Sequence, residues 1–194
     1  MTATIRVVIA DDHPLIVAGI SGMLAQDQSI ELVGNATCGD EAQHVVKTTR
    51  PDVLLLDLQM PGTPVIETIA HVRMICPQTR IIVLTAHADD RYVRAMLAVR
   101  VEGYLLKDEA VESITQAVHV VAQGGSWLSR RIAAQVATWA SDPEHDPPQP
   151  PSAAEMNVLR LMAQGLTNAQ IAGKLCVAER TVRFHVENLF TRLG

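Results

Sequence analysis

A chain of 194 residues with 48% hydrophobic content can fill the core of one ordinary domain and a small second one, which excludes a disordered protein. No apolar run reaches the roughly 18 to 20 residues of a membrane span, and the opening "MTATIRVVIADD" turns acidic too early for a signal peptide, so a cytoplasmic protein without a membrane partner is expected. Charge is uneven: residues 1–151 hold 11 Lys or Arg against 18 Asp or Glu, a formal −7, while residues 152–194 hold 5 against 3, a formal +2.

The first section alternates two kinds of segment. "IRVVIA", "IELVGNA", "DVLLLD", "RIIVLTA" and "GYLLK" are short, rich in β-branched residues or leucine, and bounded by Gly, Pro or Asp, which predicts five strands. Between them run "PLIVAGISGMLAQ", "DEAQHVVKTTR" and "DDRYVRAMLAVR", with apolar residues three and four apart. "DEAVESITQAVHVVAQGG" follows the fifth strand as a helix ending on two glycines. Strands alternating with helices predict an α/β fold, a doubly wound five-stranded parallel sheet, and the run "VLLL" suits a central strand with no wet side.

In such a sheet the ligand site lies beyond the carboxyl ends of the strands. Asp11 and Asp12 follow strand one, Asp57 ends strand three, Thr85 ends strand four and Lys107 follows strand five. Each alone has an ordinary explanation as a helix cap or a surface charge, but five polar groups at the ends of different strands converge on one pocket. Carboxylate pairs at 4 Å repel by about 4 kcal/mol at an effective dielectric of 20, so the three acids call for a cation. Oxygen ligands without nearby sulfur or imidazole favour Mg²⁺. Cys38, Cys76 and Cys176 lie far apart with no CxxC, and the seven histidines show no HxxxH or HxxE pairing, so neither a disulfide nor a zinc site is indicated.

"ADDHP", "LLLDLQMPG", "VLTA" and "GYLLKD" resemble, in order and spacing over residues 5–125, the flavodoxin-like receiver domain of two-component response regulators. The resemblance implies that Asp57 accepts a phosphoryl group from a sensor histidine kinase. Mg²⁺ would be held by Asp12, Asp57 and the backbone carbonyl of Gln59, with Asp11 acting through water. Lys107 and Thr85 would meet the phosphoryl oxygens, and Tyr104 would complete a switch pair with Thr85 by turning from solvent toward the core. Beyond catalysing its own phosphorylation and dephosphorylation the chain would be no enzyme. Gln59 and His87 would flank the path of the water that removes the phosphoryl group. Two departures from the family pattern stand out: "TPV" follows "MPG" in place of a short acid and a glycine, and Arg100 replaces a glycine after the fourth helix, where a left-handed conformation would cost about 1 kcal/mol.

"SDPEHDPPQPP", residues 141–151, is a proline-rich linker. The chain therefore divides into a receiver at 1–125, a connecting helix and linker at 126–151, and a small all-α unit at 152–194. That unit breaks at Gly165 and near Cys176 into three helices, the last two forming a helix-turn-helix, with capping boxes from Ser152 to Glu155 and from Thr167 to Gln170. Val182, Val186, Leu189 and Leu193 make one apolar face of the third helix.

"GLTNAQIA" and "RTVRFHVENLFTRLG" are similar to the LuxR-type helix-turn-helix of NarL/FixJ response regulators. The resemblance implies that Arg183 and Phe184 enter the major groove, that Thr167, Asn168 and Thr181 meet phosphates, and that Glu187 lies on the same reading face. It also implies a palindromic promoter site and a homodimer formed on phosphorylation. The family continues past "RLG" into a fourth helix, so the apolar sides of the three helices are expected to need another cover. The competing function is a signalling adaptor whose last unit binds protein rather than DNA.

Overall fold

The computed structural model describes residues 4–86, 88–139 and 151–193. The proline-rich linker, apart from Pro151, and His87 lie outside the described residues. The receiver is built from β1 (Ile5–Ala10), α1 (Pro14–Leu24), β2 (Ile30–Ala36), α2 (Gly39–Thr49), β3 (Val53–Asp57), α3 (Val65–Ile75), β4 (Arg80–Thr85), α4 (Asp90–Ala98), β5 (Gly103–Leu106) and α5 (Lys107–Ala122). The five predicted strands are joined by a sixth, β6 (Trp127–Leu128), so the five-stranded expectation is corrected to a parallel sheet of order β2-β1-β3-β4-β5-β6. Gly124, at φ 84, and Gly125 end α5 and turn the chain, after which Trp127 pairs with Gly103 and Leu128 with Tyr104. The sheet thus runs past the boundary placed at residue 125.

Side-chain alternation along the strands divides the core. Val7, Ile9, Val53, Leu55, Ile82, Leu84 and Leu105 face α1 and α5. Val8, Ala10, Leu54, Leu56, Ile81, Val83 and Leu106 face α2, α3 and α4. All five residues of β3 are buried, as a strand covered on both sides requires. Arg100 does adopt the left-handed conformation, φ 55. The guanidinium of Arg73 on α3 steadies that turn by donating to the carbonyls of Val99 and Arg100.

The connecting helix α6 (Arg130–Trp139) leads to α7 (Ala153–Ala163), α8 (Asn168–Leu175) and α9 (Glu179–Leu193). Both predicted capping boxes form: Glu155 accepts from the Ser152 N–H at 2.7 Å, and Gln170 accepts from the Thr167 N–H at 2.9 Å. Val182, Val186 and Leu189 are buried as expected, while the side chain of Leu193 lies outside the described residues. The cover for this small unit comes from within the chain. Ile132, Ala133, Val136 and Trp139 of α6 join Val158, Leu159, Met162 and Ile171 in an apolar cluster continuous with the α2–α4 side of the receiver. Among the described residues no helix is long and apolar enough to cross a membrane.

Candidate functional site: an acidic pocket and a docked helix

Each polar group of the pocket is delivered by the end of a buried strand. Asp11 follows β1, Asp57 closes β3, Thr85 closes β4, and Lys107 is the first residue of α5 directly after β5. Lys107 Nζ stands 2.7 Å from Asp11 Oδ2 and 2.8 Å from Asp57 Oδ2. Asp11, Asp57 and Thr85 are almost wholly buried, whereas Asp12 faces solvent. Burial pushes the Asp57 carboxyl above its ordinary pKa, and nearby Asp11 adds to this, against the hydrogen bond and charge of Lys107. Burial pulls Lys107 down, but its hydrogen bonds to Asp11 and Asp57 outweigh that and hold it above the ordinary lysine value.

One oxygen or nitrogen from each of Asp11, Asp12, His13 and Asp57 falls within 4.8 Å of the others, a spacing fit for a small cation. The Gln59 backbone N–H donates to Asp57 Oδ1 at 3.3 Å, which brings that loop to the same mouth. His13 was not expected here. Its Nδ1 lies 2.9 Å from Asp12 Oδ1 and 3.2 Å from Asp11 Oδ1. The only signal was its adjacency to the two acids in "ADDHP". A pocket with a protonated amine, a buried carboxylate and room for a divalent ion can bind and stabilise a transferring phosphoryl group.

Tyr104, expected to turn from solvent toward the core, is fully buried here, where β6 pairs beside it and α6 closes over the same cluster. Burial pushes its phenol well above the ordinary value.

The residues expected to read DNA divide into two groups. Phe184 is 58% exposed, Glu187 is exposed and Thr181 half-buried. Arg183 instead turns to the receiver: its Nη1 donates to the carbonyl of Gln123 at 3.1 Å, and its Nη2 pairs with Glu179 at 2.8 Å. Asn168 is buried and Thr167 half-buried, and both line a cavity of about 510 Å³ shared with Thr115 and His119 of α5 and with Gln123 just past its end. A side chain at Gly124 would meet Arg80 Nη2 at 3.2 Å and Arg183 Nη1 at 3.3 Å, so the Arg183 guanidinium lies directly against the glycine turn.

The connecting helix has its own hold on the receiver. Trp139 Nε1 donates to Asp90 Oδ2 at 3.1 Å, Gln135 donates to Asp90 and to the carbonyl of Ala88, and Arg94 stacks 4.2 Å from the Trp139 ring. All four contacts fall on α4 or the segment leading from Thr85 into it.

Comparison with known proteins places these features together. Residues 7–119 match the family model described as "Response regulator receiver domain", and residues 151–194 match "Bacterial regulatory proteins, luxR family". The uncharacterized transcriptional regulatory protein YhcZ of Bacillus subtilis (strain 168) is 37% identical over 97% of this chain and 89% of its own length. The nitrate/nitrite response regulator protein NarL of Escherichia coli (strain K12) is 32% identical over 96% of this chain and 88% of its own. A solved complex of the two-component response regulator RcsB with DNA is similar over 98% of this chain and 92% of that one, with 26% identity and a TM-score of 0.65.

Proposed function

Because this chain belongs to the NarL/FixJ response regulators, a receiver joined to a LuxR-type regulatory domain, we propose that phosphorylation of Asp57 by a sensor histidine kinase controls its binding to DNA. The observation that carries the reading is Lys107, whose ammonium bridges two buried carboxylates at the mouth of the sheet.

In the reaction, an Asp57 carboxylate oxygen attacks the phosphorus of a phosphohistidine or a small acyl phosphate. The P–O bond to Asp57 forms as the bond to the donor breaks, and the donor leaves with the electron pair. Lys107 accompanies the charge on the phosphoryl oxygens. The Thr85 hydroxyl, at the end of the neighbouring strand, donates to the product. Asp11, Asp12 and Asp57, with the Gln59 carbonyl, would hold Mg²⁺, which supplies neutralisation of phosphoryl charge. The chain's own catalysis is limited to gaining and losing this group.

Output follows from what the pocket touches. The segment from Thr85 into α4 carries Ala88 and Asp90, where α6 is bonded, so inward movement of Thr85 pulls on the helix that holds the second unit. Release of α6 and α9 frees Arg183 from Gln123 for a guanine edge, with Phe184 beside it in the major groove and Thr167, Asn168 and Thr181 at phosphates. Two such units on a palindromic site would form the active homodimer.

The test is labelling. With Mg²⁺ and acetyl phosphate the protein gains one phosphoryl group, and Asp57→Asn gains none; equal labelling of the variant would refute the assignment.

A further inference from the structure

From Leu58 to Ile66 the loop after Asp57 contains no acid of its own. Its carboxylate is supplied by another element. Asp40, in the first turn of α2, accepts the Thr63 hydroxyl at 2.6 Å on Oδ1 and the Thr63 N–H at 3.2 Å on Oδ2. Two further bonds complete the attachment: the Gly39 N–H donates to the Pro61 carbonyl at 3.1 Å, and the Thr68 hydroxyl donates to the Thr63 carbonyl at 3.2 Å. The approach is close enough to exclude side chains. A Cβ at Gly39 would stand 2.2 Å from the Thr63 carbonyl oxygen, and one at Gly62, which has φ 84, would stand 2.5 Å from Asp40 Oδ2. The Thr63 hydroxyl, and then its N–H, hold the Asp40 carboxyl below its ordinary pKa, so it serves as an ionised acceptor.

The span between two fixed points is short. Asp57 is locked in β3, Thr63 is locked to α2, and the residues between them include Gln59, whose N–H reaches Asp57 Oδ1. With both ends held, the Gln59 peptide loses little further freedom when its carbonyl takes a ligand. With the Thr63 end free, that ordering falls due at the moment of binding.

We propose that Asp40 is a positioning residue for phosphoryl transfer, clamping Thr63 so that the Gln59 peptide stays aligned with Asp57. The proposal rests on the reading of Asp57 as the phosphoryl acceptor. The clamp joins residues from α2 and from the "GTPV" loop, and it makes the absence of an acid in that loop intelligible: Asp40 stands in for it from the side.

The test uses the full chain with Asp40→Ala, Asp40→Asn, Thr63→Val and the Asp40→Ala, Thr63→Val double variant. Three quantities are read: Mg²⁺ affinity by calorimetry, amide hydrogen exchange over residues 58–64, and the KM and kcat for acetyl phosphate. Asp40→Ala, which removes both bonds to Thr63, should weaken Mg²⁺ binding by roughly tenfold, and Thr63→Val, which keeps the N–H bond to Asp40, by less. Exchange at 58–64 should speed up, and labelling at saturating Mg²⁺ should recover most of its kcat. The double variant should be no worse than Asp40→Ala alone, since that substitution already removes both bonds between Asp40 and Thr63. Asp40→Asn, which keeps an acceptor for the hydroxyl, should fall between. Mg²⁺ affinity within twofold of wild type together with unchanged exchange in Asp40→Ala would overturn the proposal, as would a wild type that binds no Mg²⁺. Failure of Asp57 to label would refute the phosphoacceptor reading separately, because affinity and exchange are measured without phosphoryl transfer.

Discussion

Replacing Lys107 by methionine keeps the length of the side chain and removes its charge. In the pocket this leaves Asp11 and Asp57, with side chains 0% and 3% exposed, facing each other without their shared cation. Their carboxylate oxygens lie within 4.8 Å, where two unit charges repel by about 3 to 4 kcal/mol at an effective dielectric of 20. Removing one partner of a buried ion pair costs about 3 to 5 kcal/mol, so the two estimates agree. The fold has one relief, which is to protonate a carboxyl. Asp57, already raised by burial, is the group placed to take the proton. Between the ordinary carboxylate pKa and the raised folded value, the folded state binds a proton that the unfolded state does not, so stability falls as pH rises through that window. Urea denaturation should therefore show Lys107→Met losing about 3 kcal/mol at pH 8 and distinctly less at pH 5. Millimolar Mg²⁺ should restore most of the loss at pH 8 without restoring the labelling rate. An equal loss at both pH values would mean that packing, not charge, had been removed, and no loss at all would refute the mutual repulsion on which the cation site rests.

Other perturbations probe the remaining contacts. The hydrogen bond from His119 and then those from Ser29 hold Asp27 at a pKa of about 2 against the ordinary 3.8. That group contributes stability above the ordinary value and loses it as pH falls toward 2, so Asp27→Asn should flatten the acid limb of a stability profile between about pH 4 and pH 2. Trp139 is buried against α4, and Trp139→Ala should cost about 3 to 5 kcal/mol in chemical denaturation, while Trp139→Phe, which loses chiefly the bond to Asp90, should cost about 1 kcal/mol. Arg183→Ala should weaken binding to a selected duplex by about 1 to 3 kcal/mol and leave the affinity for random DNA nearly unchanged, as measured by fluorescence anisotropy.

Much of the receiver is written in local pattern. The runs "VVIA", "VLLL" and "IIVL" are buried on both sides in β1, β3 and β4, and the acids and lysine at their ends meet because parallel strands present all their carboxyl ends together. The two capping boxes were legible for the same reason: both partners lie three residues apart. What escaped is what depends on distant segments. β6 is two residues long, too short to show an alternation, and becomes a strand only because β5 offers an open edge. Tyr104 faces inward because α6 arrives from further down the chain. Nothing in the sequence marks Gln123 as the acceptor for Arg183, or Asp40 as the acceptor for Thr63, since neither pair shares an element. His13 stands in no HxxxH or HxxE spacing, and only its adjacency to Asp11 and Asp12 marks it in the sequence.

The central claim is that the state of Asp57 governs access of α9 to DNA. The most direct measurement is the affinity of the full chain for a duplex selected from a randomised pool, with and without acetyl phosphate and Mg²⁺, using Asp57→Asn as the control. Phosphorylation should tighten specific binding by at least about tenfold, a typical coupling between two sites, and the tightening should vanish in Asp57→Asn. An affinity that does not respond to phosphorylation, or that responds equally in the variant, would contradict the account; no salt-sensitive DNA binding in either state would make the last unit a protein-binding adaptor instead.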